Sequence, residues 1–312
     1  MPTRRRALAV AAAVAAGMVI PVQSRVNGEL SHRLDDGIAA AAISFAGGLL
    51  VMSVLALLLP RLRAALRGLL PAVREGRLHS RYLLAGVFGG AFALAQSTAA
   101  LAAGIAVFTV SAVAGQTLGG LIVDARGIGG APVRRPGGRR LVGAALILVA
   151  AVISAVPLLS GAPAPVAVLL PALAAVVAGL LLGVQQAMNG ATGAATGSPL
   201  AATWVNFCVG AVFLGLVWVV KALVTGPAGH APPTSWWLYL GGLCGVVFIG
   251  ASTLLVRRIG VLLLGMAAIA GQLASSIALD VIAPSQGRSP GVLTIAGALL
   301  TFAAVWIASR RP

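Results

Sequence analysis

Apolar residues run along this chain in blocks too long for ordinary soluble helices and too uniform for alternating strands. Stretches of about 20 mostly apolar residues are the length a helix needs to cross a hydrocarbon core. Ten are predicted, near 7–24, 38–59, 82–101, 104–123, 140–159, 165–187, 200–224, 236–255, 259–282 and 291–308. Helix-breaking and polar residues cluster between them at 60–81, 127–140, 160–165, 225–235 and 284–290. Strands of a membrane barrel would be about ten residues long and strictly alternating. The pattern therefore predicts an all-α integral membrane protein of ten transmembrane helices.

Composition agrees. Of 312 residues, 59% are hydrophobic, 40 more are Gly, and only 9% are charged, with a mean hydropathy of +1.02. Soluble domains carry about 25% charged residues, so the polar side chains here are too few to cover a water-soluble globule. The net charge of +16 raises nucleic acid as a partner, but the Arg residues sit between apolar blocks and only two Tyr offer stacking. Basic loops beside membrane helices explain the charge, and no nucleic-acid partner is expected. Twenty-one Arg against one Lys in an Ala-rich chain is the coding signature of a high-GC bacterium. The expected location is the bacterial plasma (inner) membrane.

Counting charges by side, 18 of the 22 basic residues fall at the two termini and in the loops after even-numbered spans. Cytoplasmic loops are enriched in Lys and Arg, so both termini are expected in the cytoplasm. Arg4, Arg5 and Arg6 before an Ala-rich run are similar to a secretion signal. No small-residue cleavage site follows, and the first span is expected to be retained. The largest basic loop (Arg61, Arg63, Arg67, Arg74, Arg77, Arg81) reads as a topology anchor or an anionic-lipid contact.

The chain also repeats itself. Gln23 and Asn27 before Gly28 recur as Gln185 and Asn189 before Gly190, and Ser44-Phe45 with Gly48 recurs as Asn206-Phe207 with Gly210, all at an offset of 162. Gly86 and Gly90 recur as Gly241 and Gly245 at 155, and the run from Ala114 to Asp124 recurs from Ala270 to Asp280 at 156. Two five-helix units follow, 1–160 and 161–312. Because five is odd, the second must enter the membrane upside down, and inverted repeats are a hallmark of secondary transporters.

These ordered landmarks, together with Trp236-Trp237 leading into a Gly-rich helix, resemble the YdcZ-type family of the drug/metabolite transporter superfamily. The first unit departs from that pattern, with Arg81-Tyr82 where the second has Trp236-Trp237. Typical members look like one five-helix unit, and this chain looks like two of them fused. The resemblance implies an EamA-like fold of inverted five-helix repeats and substrate transport, and it names no substrate.

Ionisable groups within the spans are scarce. Of six acids, Glu29, Asp35, Asp36 and Glu75 are placed in loops, while Asp124 and Asp280 end the fourth and ninth spans. The mid-depth Glu of small multidrug exporters has no counterpart in the first span, which disfavours proton-coupled export of lipophilic cations through such a residue. Gln116 and Gln272, near the middle of their spans, are candidates to line a central cavity and contact substrate; the alternative is interhelical hydrogen bonding. Gln96, Ser97 and Thr98, and Ser252 with Thr253, are further cavity candidates. The i, i+4 pairs Gln23/Asn27 and Gln185/Asn189 read as a vestibule lining or as helix-end caps beside Gly28 and Gly190. Asp124 and Asp280 read as membrane-edge acids or as gates, with Arg126 or Arg134 the expected partner of the first and Arg288 of the second. Trp236 and Trp237 read as an interfacial belt. Cys208 and Cys244 lie in apolar runs and read as buried thiols, and His32, His79 and His230 fall in loops. No catalytic constellation, metal site, cofactor or phosphate-binding loop is expected, so neither an enzyme nor a primary pump is.

The function expected is an inner-membrane secondary transporter moving a small polar or amphipathic solute by alternating access, its partners being that solute and the lipid bilayer. A lipid or lipid-linked translocase and a non-transporting scaffold are the alternatives, and a homodimer stays open.

Overall fold

The chain's apolar blocks fold as helices because nothing else satisfies backbone polar groups in hydrocarbon. The computed structural model describes residues 3–103, 105–130, 132–159, 165–226, 230–282 and 292–310. Its long helices are α1 (Thr3–Gly17), α2 (Val19–Leu34), α3 (Gly37–Leu58), α6 (Ala85–Ala103), α7 (Ile105–Arg126), α8 (Gly138–Leu159), α9 (Pro165–Thr196), α10 (Pro199–Thr225), α11 (Gly241–Ile259), α12 (Val261–Ile282) and α13 (Val292–Ser309); the short α4 (Pro60–Arg67) and α5 (Leu69–Arg74) lie between α3 and α6. Each later apolar block falls mainly on one long helix, while the first, 7–24, is divided at Met18 between α1 and α2. Seven segments among the described residues are long and apolar enough to cross a membrane.

Three expectations are corrected. The helices do not stop at Gly28 and Gly190. α2 continues to Leu34 and α9 to Thr196, and both stop at a left-handed residue, Asp35 (φ 51°) and Gly197 (φ 67°). Each stop is followed by a side-chain cap. Asp36 accepts from the N–H groups of Ile38 and Ala39 at 3.0 Å, and Ser198 accepts from that of Ala201 at 3.2 Å. Helix termination thus repeats at an offset of 162, but seven or eight residues later than the Gly signals suggest. The basic stretch 60–81 is not a plain loop. Pro60 starts α4, where its missing N–H costs nothing; Leu62 and Ala72 bury inward while the Arg side chains stay out. Short 3₁₀ turns, Ser80–Leu84 and Trp236–Tyr239, precede α6 and α11, so these helices begin a few residues later than expected.

Gly positions allow close helix packing, and three of the tightest approaches recur between the halves. A Cβ on Gly115 would overlap the Val176 carbonyl, and one on Gly271 that of Val14. Gly179 meets the Ala112 carbonyl and Gly17 that of Ala268. Gly86 abuts the backbone of Asn206 and Gly210, and Gly242 that of Ser44 and Gly48. In every pair the partners are related by 162 for the first two helices of a unit and 156 for the next two. By contact, Gly86 therefore corresponds to Gly242, not Gly241, and the offset of 155 is corrected to 156. At the centre, Phe45 packs on Gly210 and Phe207 on Gly48, their rings 5.3 Å apart. α7 packs on α9 and α1 on α12, so the two halves of the chain interleave. α12 is the innermost element, buried from Val261 to Gly271.

Candidate functional site

Three sets of polar groups lie inside this apolar bundle. In the first, α9 carries Gln185 and Asn189 one turn apart, and α10 carries Asn206. Gln185 Nε2 and Asn189 Nδ2 both donate to Asn206 Oδ1, at 2.8 and 3.1 Å. The three side chains are at most 4% exposed, and Asn206 Nδ2 has no partner. On the other half, Asn27 Oδ1 and Ser44 Oγ both face Gly241, and Gln23 Nε2 faces Gly245. Asn27 Oδ1 likewise has no partner. Since α2 and α9 run straight through Gly28 and Gly190, the Gln/Asn pairs are interior helix positions and not caps.

In the second set, Gln186 is 3% exposed with both its Nε2 and Oε1 unpartnered. It shares a face of α9 with Gly183, packed on Gly119 of α7, and Gly190, packed on Val256 of α11. Gln116 (7% exposed) points at Gly265 of α12 with its Nε2 unpartnered, and Ser252 on α11 is buried with a free Oγ. An unpartnered buried amide or hydroxyl costs about 1–3 kcal/mol by protein data. A hydrogen-bonding water or polar ligand would remove that cost.

The third set closes one end of the bundle. Asp124, near the C-terminus of α7, would be misplaced against its own helix dipole. It instead caps α12, whose start at Val261 follows Gly260 (φ 87°). Its carboxylate accepts from the N–H groups of Val261 at 2.7 Å and Leu262 at 3.3 Å, and pairs with Arg140 at 3.3 Å. The same Arg140 donates to the Ile259 carbonyl at 3.4 Å, and Arg134 to those of Arg257 and Arg258 at 3.0 and 3.2 Å. One acid thus caps the N-terminus of α12 while two guanidiniums cap the C-terminus of α11. The expected partners of Asp124 are corrected. Arg126 is exposed at the helix end, Arg140 makes the ion pair, and Arg134 braces the carbonyls beside it while its own N–H donates to the Asp124 carbonyl at 2.7 Å. A small pocket of about 10 Å³ lies beside Asp124, lined by Val123, Ala187, Val256 and Val261 among others.

The remaining predicted residues distribute as follows. Gln96 donates to Ser24 Oγ at 3.3 Å, tying α6 to α2. Thr253 is buried but satisfied by the Ile249 carbonyl of its own helix at 2.8 Å. Gln272 is half-buried on α12. The side chains of Ser97, Thr98 and Asp280, and the whole of Arg288, lie outside the described residues. Trp236 is 73% exposed and Arg33 stacks over Trp237 at 5.8 Å, as suits an interfacial pair. Gln186, Asn206 and Arg140 are the polar residues that sequence reasoning passed over. The signal for the first two was present, in a Gln-Gln-x-x-Asn run on one helix and an Asn at the position repeating Ser44.

At the opposite end of the bundle, Asp36 is buried and pairs at 2.6 Å with Lys221 of α10, the chain's one lysine. Burial pushes the Asp36 pKa up, but Lys221 and the N–H groups of Ala39 and Ile38 outweigh it and hold the carboxyl below its ordinary value of 3.8.

The comparisons with known proteins agree with this architecture. The family model described as "Putative inner membrane exporter, YdcZ" matches residues 8–153 and 170–307, one segment in each half. No curated protein matches the chain. Its fold resembles that of a solved crystal structure at a TM-score of 0.69, covering 98% of this chain and 96% of that one; at 17% identity the likeness is one of fold. With both halves matched and apolar helices throughout, the chain belongs to the YdcZ-type family of inner-membrane exporters in the drug/metabolite transporter superfamily, a multi-pass membrane protein of a transporter family.

Proposed function

We propose that the chain is a secondary transporter with ten membrane helices, formed by two five-helix units (1–160 and 161–312) of opposite orientation, moving a small polar or amphipathic solute by alternating access. The supporting observation is the reciprocal contact set. The approaches of Gly115 to Val176, Gly179 to Ala112 and Gly86 to Asn206 each have a counterpart at offsets of 162 and 156, and buried amides from both halves accompany them. Two pseudo-symmetric halves that pack by the same contacts in exchanged roles can interchange those roles, which opens the bundle first to one side and then to the other. In this reading Gln116, Gln186, Asn206 and Asn27 hydrogen-bond the solute, with Gln272 in a supporting place. The Asp124 latch is the cytoplasmic gate, closed here, and Asp280 its outer counterpart. Both termini are cytoplasmic, as the charge split demands.

The test is a thermal-shift screen of purified protein against polar metabolites, since a ligand at 100 times its Kd stabilises the native state by about 2.7 kcal/mol. A compound that raises Tm in the native protein and not in Gln186→Leu supports the site. An equal rise in that variant refutes it. One observation favours a second reading, lipid or amphiphile translocation. A groove between α1 and α11 is lined by Leu8, Ala9, Ala12, Leu254 and Leu255, with Arg5 and Arg258 beside them.

A further inference from the structure

The groove between α1 and α11 has a volume of about 690 Å³. It exists because α1 presents alanines where α11 presents leucines. Ala12 of α1 is too short to meet Leu254 and Leu255 of α11 across the gap, and Leu8 flanks it, 62% exposed. One end carries two cations, Arg5 and Arg258, both exposed. Neither guanidinium has an ion-pair or hydrogen-bond partner among the described residues, whereas Glu29, Asp36, Glu75 and Asp124 are each committed to another cation. Among the described residues none of these acids is paired with Arg5 or Arg258.

We propose that this groove is a binding site for one anionic glycerophospholipid. Its phosphate is held between Arg5 and Arg258, and an acyl chain lies along the Leu8, Ala12, Leu254 and Leu255 walls. The occupant must be anionic at one end, because two uncompensated guanidiniums face it. It must be apolar along its length, because the rest of the lining offers no polar side chain. Basic pockets between membrane helices bind such headgroups, with each Arg near the surface contributing about a factor of five in affinity. The site shares no side chain with the buried amides or the latch, which it meets only at the Arg258 backbone carbonyl that accepts from Arg134.

The experiment compares retention of phosphatidylglycerol and phosphatidylcholine by full-length protein in mixed micelles, read by native mass spectrometry. Arg5→Gln with Arg258→Gln should lower phosphatidylglycerol retention about thirty-fold and leave phosphatidylcholine unchanged. Ala12→Trp fills the groove without altering charge and should exclude both the chain and its headgroup. Arg63→Gln with Arg67→Gln removes equal charge from α4 and should change nothing at this site. Glycerol 3-phosphate, the headgroup without its chains, should not compete. Retention that survives both the groove-filling and the Arg5/Arg258 variants overturns the proposal. An equal loss in the α4 control reduces it to diffuse charge attraction, and competition by glycerol 3-phosphate replaces the lipid with a soluble phosphate.

Discussion

Asp124→Asn removes a charge from the latch and almost nothing else. The side chain keeps its shape, and one oxygen still accepts from Val261 N–H. What is lost is the charge-assisted character of the bonds at 2.7 and 3.3 Å and the ion pair to Arg140 at 3.3 Å. Hydrogen bonds to charged groups contribute about 1.5–3 kcal/mol each, and neutral ones about 1. With one short and two long contacts weakened, the closed form loses roughly 3 kcal/mol. An open form, in which Asp124 is solvated, loses little. A difference of that size moves the closed–open equilibrium about a hundred-fold. The assay places a single cysteine at Ala187 or Val256, both buried beside the latch, in a background lacking Cys208 and Cys244. Labelling by a membrane-impermeant maleimide is followed in inverted vesicles. Asp124→Asn should raise the labelling rate about a hundred-fold, with Arg140→Gln moving it the same way by less. If both variants lower thermal stability while labelling stays at the native rate, Asp124 is a structural cap and not a gate.

Gln186→Leu, losing no bond, should be neutral or stabilising by about 1 kcal/mol and still abolish ligand response; Asn206→Leu, which orphans Gln185 and Asn189, should cost about 1–3 kcal/mol, and the opposite order of Tm values would reject this account of the amides. Gly86→Ala and Gly242→Ala should each cost about 1–3 kcal/mol by forcing backbones apart, whereas Gly250→Ala, whose nearest neighbour is Thr203 Oγ1 at 3.7 Å, should cost nothing; equal Tm values for all three would remove the close-approach argument. Asp36 has a lowered pKa, so its ion pair stabilises fully above its ordinary value of 3.8 and is lost as pH falls below it. Lys221→Met should therefore start less stable near neutral pH and lose less between about pH 5 and pH 3, and melting curves that shift in parallel would contradict the pair's contribution.

The helices were legible because lipid leaves the backbone no alternative, and runs such as 38–59 met the observed α3 within a residue. The repeat was legible because buried polar residues are rare enough to serve as register marks. Helix ends were less so. Gly28 and Gly190 carry the usual stop residue, but in membrane helices Gly serves close packing, as Gly190 does against Val256. The true stops, Asp35-Asp36 and Gly197-Ser198, combine a left-handed residue with a side chain that caps the next helix. That displacement turned the Gln/Asn pairs from caps into interior residues. Gln186 was hidden because its significance is a lack of partners, which no sequence displays. Arg140 was missed because Arg126 and Arg134 are nearer to Asp124 along the chain. The choice is made by the return path of the loop, pinned where Arg134 N–H meets the Asp124 carbonyl.

Alternating access is tested most directly by distances between spin labels at the two ends of the bundle, measured by double electron–electron resonance in lipid nanodiscs. One pair sits on Arg126 and Arg257 at the latch end, and the other on Leu169 and Ile282 at the far end; all four positions are exposed. Asp124→Asn should lengthen the first distance and shorten the second within the same population. Distances that stay unchanged at both ends, or that widen at both together, would contradict a transporter built from two exchanging halves.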